Sequence, residues 1–310
     1  MYEYLMNAPH ILIGGTTGSG KSVLLNGIIC ELMESSTASK TRLYLIDPKR
    51  VELYPYSKTE YCAGYSEEAD EVPALLDTLI DTINERFVEM RNDGLKEYGG
   101  TRIYVVIDEL ADLMISDCAK EIRTKLQKIL QIGRAAGVHI IAATQAPNRE
   151  VIPASLVLNF TDRIALRCLS SIESRQLINF AGAEKITGFG TALYLSSKGL
   201  DTIEIPYVSA EDIKKVCDKY AVRTIEWGCE KEAASSNAAP LWDEYITTVS
   251  LKHKLFNWLN ENKFKGIECL LLLLPVIIIC ACNNWTPKLR VVVFCVAYIW
   301  FIVRYGLLKL

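Results

Sequence analysis

HILIGGTTGSGKSVLLNGIICEL, residues 10–32, decides how this chain is read. It opens on a short apolar run of the kind that forms a strand covered on both faces, and its second half is an apolar helical run. Between them GTTGSGKS, residues 15–22, satisfies G-x-x-x-x-G-K-[ST] at the strand-to-helix junction where that pattern has a mechanism. Gly18 and Gly20 let the backbone bend so that successive N–H groups and the N-terminus of the next helix point at phosphate oxygens. Lys21 adds a point charge and Ser22 a ligand for magnesium. Gly15, Thr16, Thr17, Gly18, Ser19, Gly20, Lys21, Ser22 and Val23 are therefore the expected phosphate-binding stretch of a nucleotide site.

Working outward, apolar runs at residues 10–13, 42–46, 103–107, 138–143, 163–167 and 192–195 read as strands, and residues 22–33, 67–91 and 118–136 as helices. The runs are continuous, not alternating, which predicts an α/β fold with a mainly parallel sheet. RIYVVIDE, residues 102–109, is an apolar strand ending in two carboxylates. With the phosphate loop upstream, Asp108 is expected to hold the magnesium ion and Glu109 to polarise an attacking water. The strand VHIIAAT ends at Thr144 and Gln145, polar groups at the sheet edge where open α/β sheets bind ligands. One of them is expected to sense the γ-phosphate or the water, the alternative being a helix N-cap by Thr144. In GRAAGVH, residues 133–139, Gly137 is placed for a left-handed helix cap. Arg134 in that motif is either a finger reaching a neighbouring subunit's nucleotide or an answer to the helix dipole.

The chain has 310 residues, enough for about two domains, with 50% hydrophobic and 23% charged residues. That composition excludes disordered and collagen-like classes, and a net charge of -3 gives no support to a globally basic nucleic-acid binder. The ten cysteines contain no Cys-x-x-Cys pair, so neither a metal nor a disulfide framework is read from them. His10, His139 and His253 lie far apart in sequence and are assigned to packing. Mean hydropathy is +0.15, raised by the last fifty residues. There residues 266–282 and 291–308 approach the length of about 17 to 25 residues needed to span hydrocarbon, and a short connector predicts a two-helix transmembrane hairpin. Flanking lysines place both termini inside, hence a multi-pass protein of the cell membrane with a cytoplasmic N-terminal part. Three regions follow: a P-loop domain over 1–230, a linker and membrane-proximal segment over 231–265, and the hairpin over 266–310.

GTTGSGKS, LIDPKRVEL at 45–53, VVIDELADLM at 105–114, GRAAGVHIIAATQAP at 133–147 and SSIESRQLI from Ser170 together resemble the FtsK/SpoIIIE family of motor ATPases, in order and in spacing, over about residues 8 to 215. The resemblance implies a RecA-like P-loop ATPase that uses ATP and Mg2+, assembles as a homo-hexamer and moves double-stranded DNA through its pore. It makes Lys21, Ser22, Asp108 and Glu109 carriers of nucleotide chemistry, favours Arg134 as a trans-acting finger and adds Arg175 as a subunit-interface candidate. Family members place their membrane spans before the motor and a winged-helix domain after it, whereas here the P-loop starts at residue 15. The expectation is a reduced, membrane-anchored DNA motor, with a partner supplying the missing parts. Membrane-anchored ATPases of type VII protein export share the fold and stand as the alternative.

Overall fold

The computed structural model of this protein describes residues 2–6, 8–187 and 189–222. They lie in one compact unit, Met1–Lys231. Its centre is an eight-stranded sheet of order β3-β2-β4-β5-β1-β6-β7-β8. The strands are β1 His10–Gly14, β2 Thr41–Ile46, β3 Cys62–Ser66, β4 Arg102–Ile107, β5 Val138–Thr144, β6 Asp162–Ala165, β7 Thr191–Ser196 and β8 Gly199–Glu204. The first six run parallel, and β7 and β8 add an antiparallel edge.

Successive residues of the central parallel strands β1, β2, β4 and β5 enter opposite cores, which is why those runs are mostly apolar. Leu12, Tyr44, Val105, Ile107, Ile140 and Ala142 face one layer. Ile11, Ile13, Leu43, Leu45, Val106, Ile141 and Ala143 face the other. The helices are α1 Tyr2–Leu5, α2 Lys21–Glu34, α3 Val72–Asp93, α4 Leu110–Ile115, α5 Ala119–Ile132, α6 Ala154–Val157, α7 Ser171–Ile178 and α8 Ala210–Lys219. On the first face α3 is tied to α5 by Lys125, whose ammonium reaches Asp77 at 2.7 Å. The second face is closed by α2, with α1 and α8 beside it.

The fold class needs one correction. No helix among the described residues is long and apolar enough to cross a membrane. The longest, α3, has 22 residues, but it exposes acidic and basic side chains on one side and buries Leu76, Leu79, Ile80 and Ile83 on the other. Residues 266–282 and 291–308, on which the transmembrane hairpin rested, lie outside the described residues. The fold is a mixed, mostly parallel P-loop sheet. The hairpin, the membrane as a partner and the two-span location are withdrawn with that correction.

Elements also differ from the reading in detail. Helix α5 stops at Ile132, capped by Gly133 in right-handed conformation, and Gly137 takes its left-handed φ of 69° only after an intervening turn. There its N–H closes onto the carbonyl of Arg134 at 3.1 Å. Strands β3 and β8 escaped notice because, Ser66 apart, their residues are half-buried or exposed, and neither carries an apolar run.

Candidate functional site

The registers Gly14 to Thr144, Ile107 to Ala142 and Ile46 to Ile107 bring the C-terminal ends of β1, β5, β4 and β2 to one edge, so the loops that follow them meet. The loop after β1 is stitched down on both sides. Gly15 N–H donates to Thr144 O at 3.3 Å and Thr16 N–H to Arg167 O at 2.9 Å. A Cβ on Gly15 would lie 2.7 Å from Ser19 Oγ and 2.9 Å from Leu166 Cβ, so only glycine fits. Gly20, at φ 101°, sits in the left-handed region as the N-cap of α2 and turns the chain into the helix. Val23 lies half-buried in the first turn of that helix.

Lys21 is nearly buried, and its ammonium donates to Gly15 O at 2.7 Å and Thr16 O at 3.1 Å. Burial pulls its pKa below the ordinary value, with the carboxylates of Glu109 and Asp108 pulling the other way. Ser19 Oγ is buried with no partner. An orphaned hydroxyl and an ammonium that serves only loop carbonyls both have capacity for anionic oxygens, and Gly18 leaves the loop's outer side open, with nothing within 4 Å of its Cβ position. The residues fit a bound phosphate chain.

The carboxylates stand opposite. Asp108 follows β4, its N–H donating to Ile46 O at 3.1 Å. Burial first, then the neighbouring charges of Asp47 and Glu52, push its pKa up to about 6. A carboxyl under that strain and the Ser22 hydroxyl offer the hard oxygen donors that magnesium prefers. Glu109 is only 2% exposed. It caps α4 through the Ala111 N–H at 3.3 Å, accepts the Gln145 N–H on both oxygens at 3.1 Å, and receives the Lys49 ammonium at 3.1 Å.

Of the two residues at the end of β5, Gln145 touches the phosphate loop: its Oε1 accepts the Thr17 hydroxyl at 2.8 Å. Thr144 is fully buried and its Oγ1 accepts Ala146 N–H at 3.2 Å, closing a local turn. No helix begins there, so the N-cap alternative fails. Arg134 and Arg175 do not join this cluster. Arg134 is exposed just before β5, at the edge where parallel strands begin, and its charge is felt by His10 and His139 there. Arg175 is exposed on α7 near Glu184.

Asp47, Lys49 and Glu52, all in the loop after β2 and within the LIDPKRVEL motif, have no role assigned to them in the sequence reading. Glu52 Oε1 accepts the Ser22 hydroxyl at 2.7 Å. One signal was available: LIDPK repeats the form of VVIDE, an apolar strand ending in an acid.

A phosphate loop on β1 facing carboxylates on β4, inside a mostly parallel sheet, defines a P-loop nucleoside triphosphatase. Residues 1–102 and 100–149 match the FtsK/SpoIIIE family. The DNA translocase FtsK of Chlamydia pneumoniae is 35% identical over 241 residues, covering 70% of this chain and 30% of the relative. The chain thus spans about a third of that relative's length. The pCW3 conjugation coupling protein TcpA, solved as a monomer with ATPγS, is 27% identical at a TM-score of 0.62, over 69% of this chain and 66% of that one. The cytoplasmic domain of the type VII secretion ATPase EccC of Thermomonospora curvata shares the fold, with 21% identity and a TM-score of 0.58 over 72% of this chain and 30% of that one. This chain is a P-loop ATPase related to the FtsK DNA translocases. The membrane hairpin attached to that resemblance is not supported.

Proposed function

We propose that this protein is an ATP-driven translocase of double-stranded DNA that works as a ring of copies, a homo-hexamer in the manner of FtsK/SpoIIIE motors, and uses ATP with Mg2+. The observation that carries the reading is that the family match, residues 1–149, contains Lys21, Ser22, Asp108, Glu109, Arg134, Thr144 and Gln145 together. Of the proteins named above, the one at 35% identity is a DNA translocase and the one at 27% a conjugation coupling protein. Likeness to the export ATPase, at 21% identity, is a likeness of fold, and no feature of the site favours a polypeptide cargo.

On this reading the amides of residues 15–20, with Lys21, bind the phosphates. Lys21 leaves the carbonyls of Gly15 and Thr16 to do so. Ser22 and Asp108 would hold a magnesium ion, which would supply charge neutralisation for the phosphates. Glu109, held by Lys49 and the amides of Ala111 and Gln145, takes the proton of the attacking water. Gln145, bonded to Thr17, registers whether the phosphate loop is filled. Arg134 serves the site of a neighbouring copy, and Arg175 lies at the contact between copies. The deciding experiment is ATP hydrolysis with linear duplex DNA, single strands or no nucleic acid. Several-fold stimulation by duplex alone is expected, and equal rates in all three reject DNA as the cargo.

A further inference from the structure

The Ser22 hydroxyl, in the first turn of α2, has its partner in the loop after β2. Its proton is given to Glu52 Oε1 at 2.7 Å. A hydroxyl has one proton and two lone pairs, so a partner that takes the proton leaves only lone pairs for anything on the other side. Glu52 is held in turn from within the fold. Its second oxygen accepts from Asn26 Nδ2 at 3.4 Å, one helical turn beyond Ser22 on α2, and Asn26 Oδ1 accepts from Tyr56 OH at 2.7 Å. Asn26 is 7% exposed and Tyr56 fully buried, so the relay is anchored in the core. The loop that carries Glu52 is pinned at both ends by Asp47, whose Oδ2 accepts Leu53 N–H at 2.9 Å and whose carbonyl accepts Arg50 N–H at 3.0 Å.

We propose that Glu52 is a positioning residue of the metal site, which orients the Ser22 hydroxyl so that its lone pairs face the ion, without ligating the ion itself. This rests on the nucleotide-site reading above. Outer partners that orient a ligand typically contribute about 10–100-fold in metal affinity.

Binding of adenylyl-imidodiphosphate in EDTA and across a Mg2+ titration tests this on wild type, Glu52→Ala, Glu52→Gln, Ser22→Ala and the Glu52→Ala/Ser22→Ala pair. Glu52→Ala should need roughly tenfold more Mg2+ to reach the tight-binding state, while affinity in EDTA changes less than about twofold. Glu52→Gln, whose amide oxygen still accepts the hydroxyl proton, should recover most of the loss. The pair should lose no more than Ser22→Ala alone, because both changes remove one interaction. Tyr56→Phe, which keeps the ring in the core, should shift the Mg2+ requirement in the same direction by less. An equal loss with and without Mg2+, an unchanged Mg2+ requirement, additive losses in the pair, or Glu52→Gln behaving as Glu52→Ala overturns the proposal. Wild type that fails to bind the analogue under any condition sinks the nucleotide-site reading with it.

Discussion

The ammonium of Lys49 lies 3.1 Å from Oε2 of Glu109, joining the ends of two neighbouring strands across sixty residues of sequence. The lysine is 36% exposed and the carboxylate 3%. The pair is thus a buried carboxylate met from the solvent side by a partly exposed ammonium. Burial alone would lower the pKa of Lys49, but Glu109, Asp112 and Asp108 together raise it.

Lys49→Ala leaves the Glu109 carboxylate to the amides of Ala111 and Gln145. A cost of about 1–2 kcal/mol in urea unfolding is expected, at the low end for a buried ion pair because the lysine is partly in water. Glu109→Gln should still bind nucleotide but not hydrolyse it, since an amide cannot take the proton. The two changes combined should cost less than their sum, and strict additivity would show that the contact carries no energy.

Asp108 sets a pH dependence. Its folded pKa is raised to about 6 from an ordinary 3.8. Between those values the folded state keeps a proton that the unfolded state has lost, so stability falls as pH rises through that window. In EDTA without nucleotide, Asp108→Asn should therefore be more stable than wild type by about 1–2 kcal/mol near pH 8, with no gain near pH 3.5. A gain confined to acid pH would refute the sign.

Lys21→Ala should abolish turnover while changing unfolding free energy by no more than about 1–2 kcal/mol, because two hydrogen bonds to loop carbonyls are lost but a poorly solvated cation is removed as well. Circular dichroism with a hydrolysis assay separates the two effects. Substantial residual hydrolysis would remove Lys21 from the site.

Arg134 belongs to the edge of the sheet opposite its own phosphate loop, so Arg134→Ala should leave nucleotide affinity intact and lower turnover. An arginine supplied in trans is worth about 10³ to 10⁵ in rate, against about 0.3–1 kcal/mol of stability for one that answers a helix dipole. Mixing Arg134→Ala with Lys21→Ala should then restore some hydrolysis once labelled subunits are seen to exchange. An Arg134→Ala protein that melts earlier and gains nothing on mixing is structural.

What could be read from sequence was what is local. The phosphate loop, the β4 carboxylates and the strand cores depend on contiguous residues, and the alternation of Ile11 and Ile13 against Leu12 is built into the pleat. Glu52 and Lys49 were hidden because their partners lie 30 and 60 residues away, and nothing in a linear pattern says which acid will meet a given serine. The α5 boundary was misjudged because Gly137 has the conformation expected of a cap while Gly133, four residues earlier, ends the helix. The hairpin rested on apolar length in a segment outside the described residues, and among the described helices length goes with amphipathic packing, as in α3.

The phosphate loop and Arg134 sit at opposite ends of the parallel strands. Two copies related by a two-fold axis meet through one shared patch, so each one's Arg134 can serve the other's phosphate edge only if the strands lie antiparallel and both of their ends fall within that patch. The other arrangement in which every arginine serves a neighbour joins unlike faces, front to back. That geometry leaves only two endings: a turn per copy that divides the circle, giving a closed ring in which every site is completed, or one that does not, giving an open screw whose terminal copy always holds one unserved nucleotide.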